Sequence, residues 1–303
     1  MTGTPIARSA SSHLHTSSRQ SLWMLVASLC FACMGVCVKL GAAVFSSAEL
    51  VFYRGLIATV ILFGYIRMRG WSLATPHWKA QLVRGVTGFI ALVLYFFAIG
   101  ALPLATAVTL NYTSPLFLAL LLTFWSGEKL RPSLTLALAI GFAGVVLLLQ
   151  PTLGEDQWLA ALLGLASGLL AGVAYLNVRN LGELGEPEWR TVFYFSFIAT
   201  LGGLPWVLAS DPVHGFDGRG VLLLLGVGVF GAIAQLAMTR AYRYGKTLVS
   251  ASLAYSTVIF SSLFGILIWH EVLPWISWLG IVLIIASGVT ASLRSRAAPA
   301  EQD

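Results

Sequence analysis

Apolar residues in this chain run almost unbroken for about twenty positions, stop at a short polar or proline-bearing stretch, and resume. A helix crossing the hydrocarbon core of a bilayer needs about 20 such residues. Ten runs meet that measure: 22–44, 48–66, 82–100, 104–125, 133–149, 158–178, 191–208, 221–241, 247–269 and 275–293. The pattern predicts an all-α integral membrane protein of ten transmembrane helices. Turn residues such as Pro76, Pro132, Gly154, Pro187, Pro212 and Pro274 mark the short connections. The first run is too long for a cleaved signal peptide and has no small-residue cleavage site after it, so it is read as the first span.

Composition points the same way. Hydrophobic residues make up 58% of the 303 and charged residues only 10%, against about 25% charged in soluble domains. The net charge of +6 is therefore read as a loop bias rather than as a nucleic-acid signal. With the amino terminus inside, fifteen Lys and Arg residues, Arg84 counted among them, fall on the inner side and Arg219 alone on the outer. That asymmetry predicts a multi-pass protein of the cell inner membrane with both termini cytoplasmic. The three cysteines, Cys30, Cys33 and Cys37, share one span and are read as small packing residues.

The chain also repeats itself. Residues 51–59 (VFYRGLIAT) and 192–200 (VFYFSFIAT) agree at six of nine positions. Further on, at an offset of 143, Gly85, Gly88, Ala91 and Ala98 meet Gly228, Gly231, Ala234 and Ala241. Leu110, Tyr112, Phe117, Leu120 and Glu128 meet Leu253, Tyr255, Phe260, Leu263 and Glu271 at the same offset. Each copy holds five spans, so the second enters the membrane from the opposite face, giving two inverted five-helix repeats. The expected organisation is a disordered cytoplasmic tail at 1–21, repeats at 22–150 and 151–293, and a tail at 294–303. Inverted repeats suit alternating access, because the two copies can exchange conformations about a site at mid-membrane.

Ionisable groups within the spans are few, and each is a functional candidate. Lys39 and Arg54 lie toward the outer ends of the first two spans with Glu49 between them, as an outer vestibule or a snorkelling ion pair. Glu128 and Glu271 are repeat-equivalent and end their spans as caps or gates. Uncharged polar residues gather near mid-depth: Asn111, Tyr112, Thr113 and Ser114 before Pro115, with Tyr255 and Ser256 as the counterpart. Proline frees a backbone carbonyl and kinks its helix. Tyr95, Asn111, Tyr112, Ser114, Gln235, Tyr255 and Ser256 are the expected substrate contacts, around a pocket of neutral groups. Gly245-Lys246-Thr247 lacks the earlier glycine and the strand of a phosphate-binding loop. The five histidines show no metal-ligand spacing, so no metal, cofactor or enzymatic activity is expected.

Lys39, the run Phe52-Tyr53-Arg54-Gly55, the run from Asn111 to Pro115 followed by Glu128-Lys129-Leu130, and in the second copy Ala254-Tyr255-Ser256, Glu271-Val272-Leu273 and the glycines at 280 and 288 resemble the drug/metabolite transporter superfamily with two EamA-type domains. Phe195 departs from the pattern where the first copy has Arg54. The resemblance implies ten helices and secondary transport of small metabolites such as amino acids and their derivatives, metallophores, nucleotide conjugates or vitamins, with export common among bacterial members. The expectation is thus a secondary active exporter of a small zwitterionic or amphipathic metabolite across the bacterial inner membrane. Alternatives are a passive facilitator, or an uptake carrier for a nucleotide-like or vitamin metabolite. The expected partners are a small-molecule substrate, the lipid bilayer and, as an open option, a second copy in a homodimer; no nucleic acid is expected.

Overall fold

The structure, a computed structural model, describes residues 19–102, 104–124, 132–151, 155–209, 215, 217–270 and 272–296. Its helices, apart from one short 3₁₀ turn, are α1 (Trp23–Gly41), α2 (Ser47–Met68), α3 (Trp78–Ala101), α4 (Leu104–Asn111), α5 (Ser114–Phe124), α6 (Pro132–Leu149), α7 (Trp158–Glu183), α8 (Glu188–Ala209), α9 (Gly218–Tyr244), α10 (Thr247–Ala254), α11 (Ser256–Trp269) and α12 (Trp275–Arg296). α4 with α5 forms one span, and α10 with α11 another. Counted so, nine spans among the described residues are long and apolar enough to cross a membrane. The tenth, α12, carries the shorter apolar stretch Trp275–Ala291.

Helices are what such runs must form, because lipid offers no partner to a backbone amide. Bulky side chains such as Val60, Leu222 and Leu267 stay exposed on the outer surface, where acyl chains would cover them. α2 starts in a capping box: Ser46 N donates to Glu49 Oε2 at 2.7 Å, and Glu49 N donates to Ser46 Oγ at 3.2 Å. The folded chain reaches back beyond α1 into the expected tail. Ser21 is buried, accepts from Lys246 N at 2.9 Å, and lies where helix already extends from Arg19.

The two repeats are related by a two-fold axis, and the contacts locate it. Repeat-equivalent residues can meet one another only on such an axis. Thr59 and Thr200 do so, with hydroxyl oxygens 3.4 Å apart. Each of the two hydroxyls also donates to the carbonyl four residues earlier in its own helix, at 2.8 Å. Gly55 packs directly on Ser196, and the Tyr112 and Tyr255 rings stand 6.4 Å apart. Between α6 and α12 the contacts come as mirrored pairs. Gly144 meets the Gly280 carbonyl, and Ser287 Oγ donates to the Ala137 carbonyl at 2.6 Å. These two contacts map onto each other at the offset of 143. The axis therefore runs from the α2–α8 pair, past Tyr112 and Tyr255, to the α6–α12 pair. Away from it, α3 packs along α7 and its counterpart α9 along α1.

Both spans that face the centre are broken at equivalent points, by different means. In the first repeat Pro115 has no amide hydrogen, and its ring would strike the Asn111 carbonyl in a continuous helix. The Leu110 carbonyl instead accepts Thr113 N at 3.2 Å and Thr113 Oγ1 at 2.5 Å. In the second repeat Val258 stands at the position equivalent to Pro115. The helix tightens at Tyr255, where Tyr255 N reaches Ser252 O at 3.4 Å, and Ser28 Oγ of α1 donates to the Leu253 carbonyl at 3.4 Å. Gly168 of α7 lies directly against the first break, beside Leu110 O and Thr113.

Candidate functional site

At the axis Arg54 faces its own repeat-equivalent, Phe195, with Cζ 5.9 Å from the ring centroid. This explains the departure seen in the sequence. A second arginine at 195 would oppose Arg54 with like charge in a medium that screens poorly. A ring gives a cation the negative face it needs. Arg54 is 9% exposed, and Gly231 leaves room for its side chain.

Arg84 approaches the same ring from α3, with Cζ 4.5 Å from the Phe195 centroid. It is 3% exposed and donates through Nη2 to Gln235 Oε1 at 3.3 Å. The sequence reading counts Arg84 with the charges of the inner side, at the start of its apolar run; the structure places it deeper along the helix. α3 begins at Trp78, four residues before the apolar run, so Arg84 enters the bundle more than a turn beyond the helix start. Arg54, Ser196 and Gln235, with the small residues Gly55, Ala58, Ala199 and Gly231 and the Phe195 ring, line a water-sized cavity of about 10 Å³.

A tyrosine cluster adjoins the two arginines. Tyr175 of α7 lies within electrostatic reach of both guanidinium groups and within hydrogen-bonding reach of Ser114. It stacks on Tyr242 with centroids 5.3 Å apart. Tyr242 and Tyr255 are buried, and neither hydroxyl has a hydrogen-bond partner among the described residues. Tyr112 lies within hydrogen-bonding reach of Thr257, and Tyr95 within electrostatic reach of Tyr112 and Tyr175. The result is a centre of guanidinium, amide and phenol groups inside an otherwise apolar bundle.

The expected contacts distribute as follows. Gln235 meets Arg84, Ser114 lies within reach of Tyr175, Tyr112 and Tyr255 face each other on the axis, and Tyr95 packs on Ala98, Leu102, Ala107 and Ala160 nearby. Asn111 turns toward α7, donating through Nδ2 to Ser167 Oγ at 3.1 Å, and so joins two helices. Ser256 opens α11 and is half-buried. Lys39 sits in the last turn of α1 with Nζ 4.0 Å from the Trp269 ring centroid. Glu49 is buried and caps α2. Glu128 and Glu271 lie outside the described residues. To the expected neutral groups the structure adds two guanidiniums. Sequence reasoning passed over Tyr175 and Tyr242, took Arg84 only as an inner-side charge, and noted Phe195 only as a departure from the repeat. For Arg84 a signal existed in Gly88, one helical turn on, whose missing side chain makes space beside Nη1.

On one membrane face a polar network joins the connections. Glu186 accepts from Thr75, from Gln81 Nε2 at 3.1 Å and from Arg190 Nη1 at 3.0 Å. Glu188 pairs with Arg243 at 2.9 Å and Arg240 at 3.4 Å. Trp71 stacks on Trp189 at 4.9 Å.

Comparison with known proteins agrees with this architecture. The pattern of the EamA-like transporter family matches twice, over residues 19–150 and 158–293. The chain is 32% identical over 271 residues to the pseudopaline exporter CntI of Pseudomonas aeruginosa, covering 89% of this chain and 95% of that one. It is 28% identical over 279 residues to a riboflavin transporter of Vibrio cholerae, covering 90% and 92%. A solved crystal structure superposes with a TM-score of 0.82 at 21% identity, over 92% of this chain and 98% of its own, which establishes the shared fold. The doubled match and these relatives together make the chain a member of the EamA-like transporter family, within the drug/metabolite transporter superfamily.

Proposed function

We propose that the protein is a secondary active exporter of a small zwitterionic or amphipathic metabolite, working by alternating access in a bacterial inner membrane with both termini in the cytoplasm. The observation that carries this reading is the polar and aromatic centre on the two-fold axis of two inverted repeats. A buried site on such an axis can open to either face when the repeats exchange conformations. The two broken spans beside it supply backbone that need not stay helical, which membrane proteins tolerate where it lines a cavity. Tyrosines offer ring faces to the apolar part of a solute and hydroxyls to its polar part. The relative at 32% identity is an exporter by name, which favours the outward direction; the riboflavin transporter keeps uptake of an aromatic vitamin as the competing reading.

Metabolite profiling tests this directly. A deletion strain compared with its parent should retain in the cell, and lack in the medium, one class of small amphipathic metabolite. Counterflow with that compound in proteoliposomes should then show trans-stimulation, as a carrier does and a passive pore does not. Depletion of a compound from the cells of the deletion strain would turn the direction around.

A further inference from the structure

We propose that Arg54 and Arg84 form an anion subsite that holds a carboxylate group of the transported metabolite. The assignment rests on the transporter reading above and names the chemistry of its substrate. Both guanidiniums are buried in the middle of the bundle. Neither forms an ion pair among the described residues. The acids that do pair with arginine, Glu183, Glu186 and Glu188, sit at helix ends and turns. Arg54 Nε, Arg84 Nε and Arg84 Nη1 have no hydrogen-bond partner among the described residues. Gln235 takes one N–H of Arg84, and the Phe195 ring lies 5.9 Å from Arg54 Cζ and 4.5 Å from Arg84 Cζ. A ring under a guanidinium leaves the edge N–H groups free, and those edges are what a carboxylate grips as a two-toothed fork.

Two unpaired cations in a low-dielectric interior are costly, because each has given up its hydration, and these two also repel one another. Packing alone does not call for them, because an apolar side chain of similar volume would fill the space without that cost. An incoming anion offsets it. The lining selects the kind of anion. The water-sized cavity beside Arg54 is lined by Gly55, Ala58, Ala199, Gly231 and the Phe195 ring, with Ser196 and Gln235 as the further polar groups, and Arg84 borders it through its contacts with Gln235 and the same ring. A planar carboxylate can satisfy its two oxygens on the arginines. A tetrahedral phosphate would press its remaining oxygens on apolar atoms, where an unmet acceptor is costly. The tyrosines beyond would receive the rest of the molecule.

The test uses the purified full chain in detergent, with succinate, its uncharged analogue succinamide and inorganic phosphate as probes of thermal unfolding. Succinate should raise the wild-type midpoint in a concentration-dependent way and succinamide should not. In Arg54→Met and Arg84→Met the apparent succinate affinity should fall on the order of tenfold or more, while the ligand-free variants unfold no lower than wild type, since an unpaired buried charge has gone. Arg84→Lys, which keeps the charge and loses the fork, should also weaken succinate and serves where the methionine variant does not assemble. The proposal is overturned if succinate gives no shift, if phosphate protects in its place, or if the variants lose stability yet keep the succinate response. Profiling separates the two readings: an exported compound without a carboxylate removes the subsite and leaves the transporter standing, whereas a medium unchanged by deletion removes the transporter and leaves the binding result to decide the subsite.

Discussion

Glu186 occupies the turn between α7 and α8 and is 4% exposed. Burial by itself raises the pKa of a carboxyl group. Here the donors Thr75, Arg190 and Gln81, with the charge of Arg190, outweigh burial and hold Glu186 below its ordinary value of 4.5. A group whose folded pKa is lowered adds stability that is present above its unfolded pKa and is lost as pH falls through the folded one. Glu186→Gln should therefore cost about 1–3 kcal/mol at neutral pH, the range for hydrogen bonds to a charged group. The gap to wild type should close as pH drops below 4.5. Unfolding midpoints in detergent between pH 7 and the acid limit check this, and a gap that stays constant throughout would show that the charge is not the source. The residues of the candidate site were legible in part. Tyr95, Tyr112, Gln235 and Tyr255 stand out as polar groups within apolar runs. Arg84 does not, because at the third position of the apolar run 82–100 it reads as one more charge at the membrane face, while the helix already begins at Trp78. Tyr175 has no matching aromatic in the first repeat, so the duplication gives it no weight either.

The ten spans and the doubling are legible at the scale of elements because lipid leaves a continuous apolar run only one backbone solution. The break in the fourth span is written in Pro115. The break in the ninth is visible only through the repeat, because what stabilises it is a hydroxyl from another helix, Ser28, bonded to Leu253 O. Tertiary partners of that kind have no local pattern. The fit of α7 against the first break rests on Gly168: a methyl group there would come within 2.7 Å of the Leu110 carbonyl, closer than a carbon and an oxygen can pack. Gly168→Ala should force α7 from α4 and cost about 1–3 kcal/mol, as overpacking does. Gly64 of α2 has open space at the same position. Gly64→Ala should be neutral or stabilising by up to about 1 kcal/mol, the helix preference of alanine over glycine. Thermal unfolding of the two variants side by side reads the contrast, and equal effects would mean that the contact at Gly168 does not constrain the helix pair.

For the whole molecule, the axis divides contacts that a rocking motion must break from contacts that it leaves alone. Displacement in a rotation grows with distance from the axis. A rotation of about 15°, a scale seen in allosteric rotations, moves a point about 15 Å away by about 4 Å and a point on the axis hardly at all. Thr59 and Thr200 touch on the axis. Thr75 and Glu186 touch at the membrane face, where the connection after α2 meets the turn before α8. In a background lacking Cys30, Cys33 and Cys37, a disulfide from Thr59→Cys with Thr200→Cys should leave most of the flux intact. One from Thr75→Cys with Glu186→Cys should lock that face shut, stop transport, and release it again when a reductant is added. Flux of the profiled metabolite in proteoliposomes, before and after reduction, measures both. The pair of outcomes matters more than either alone. If both bridges are tolerated, the repeats do not rock and the centre works as a pore. If the axial bridge stops flux as fully as the peripheral one, the motion is not a rotation about this axis, and the two copies of the five-helix unit move in some way that their symmetry does not prescribe.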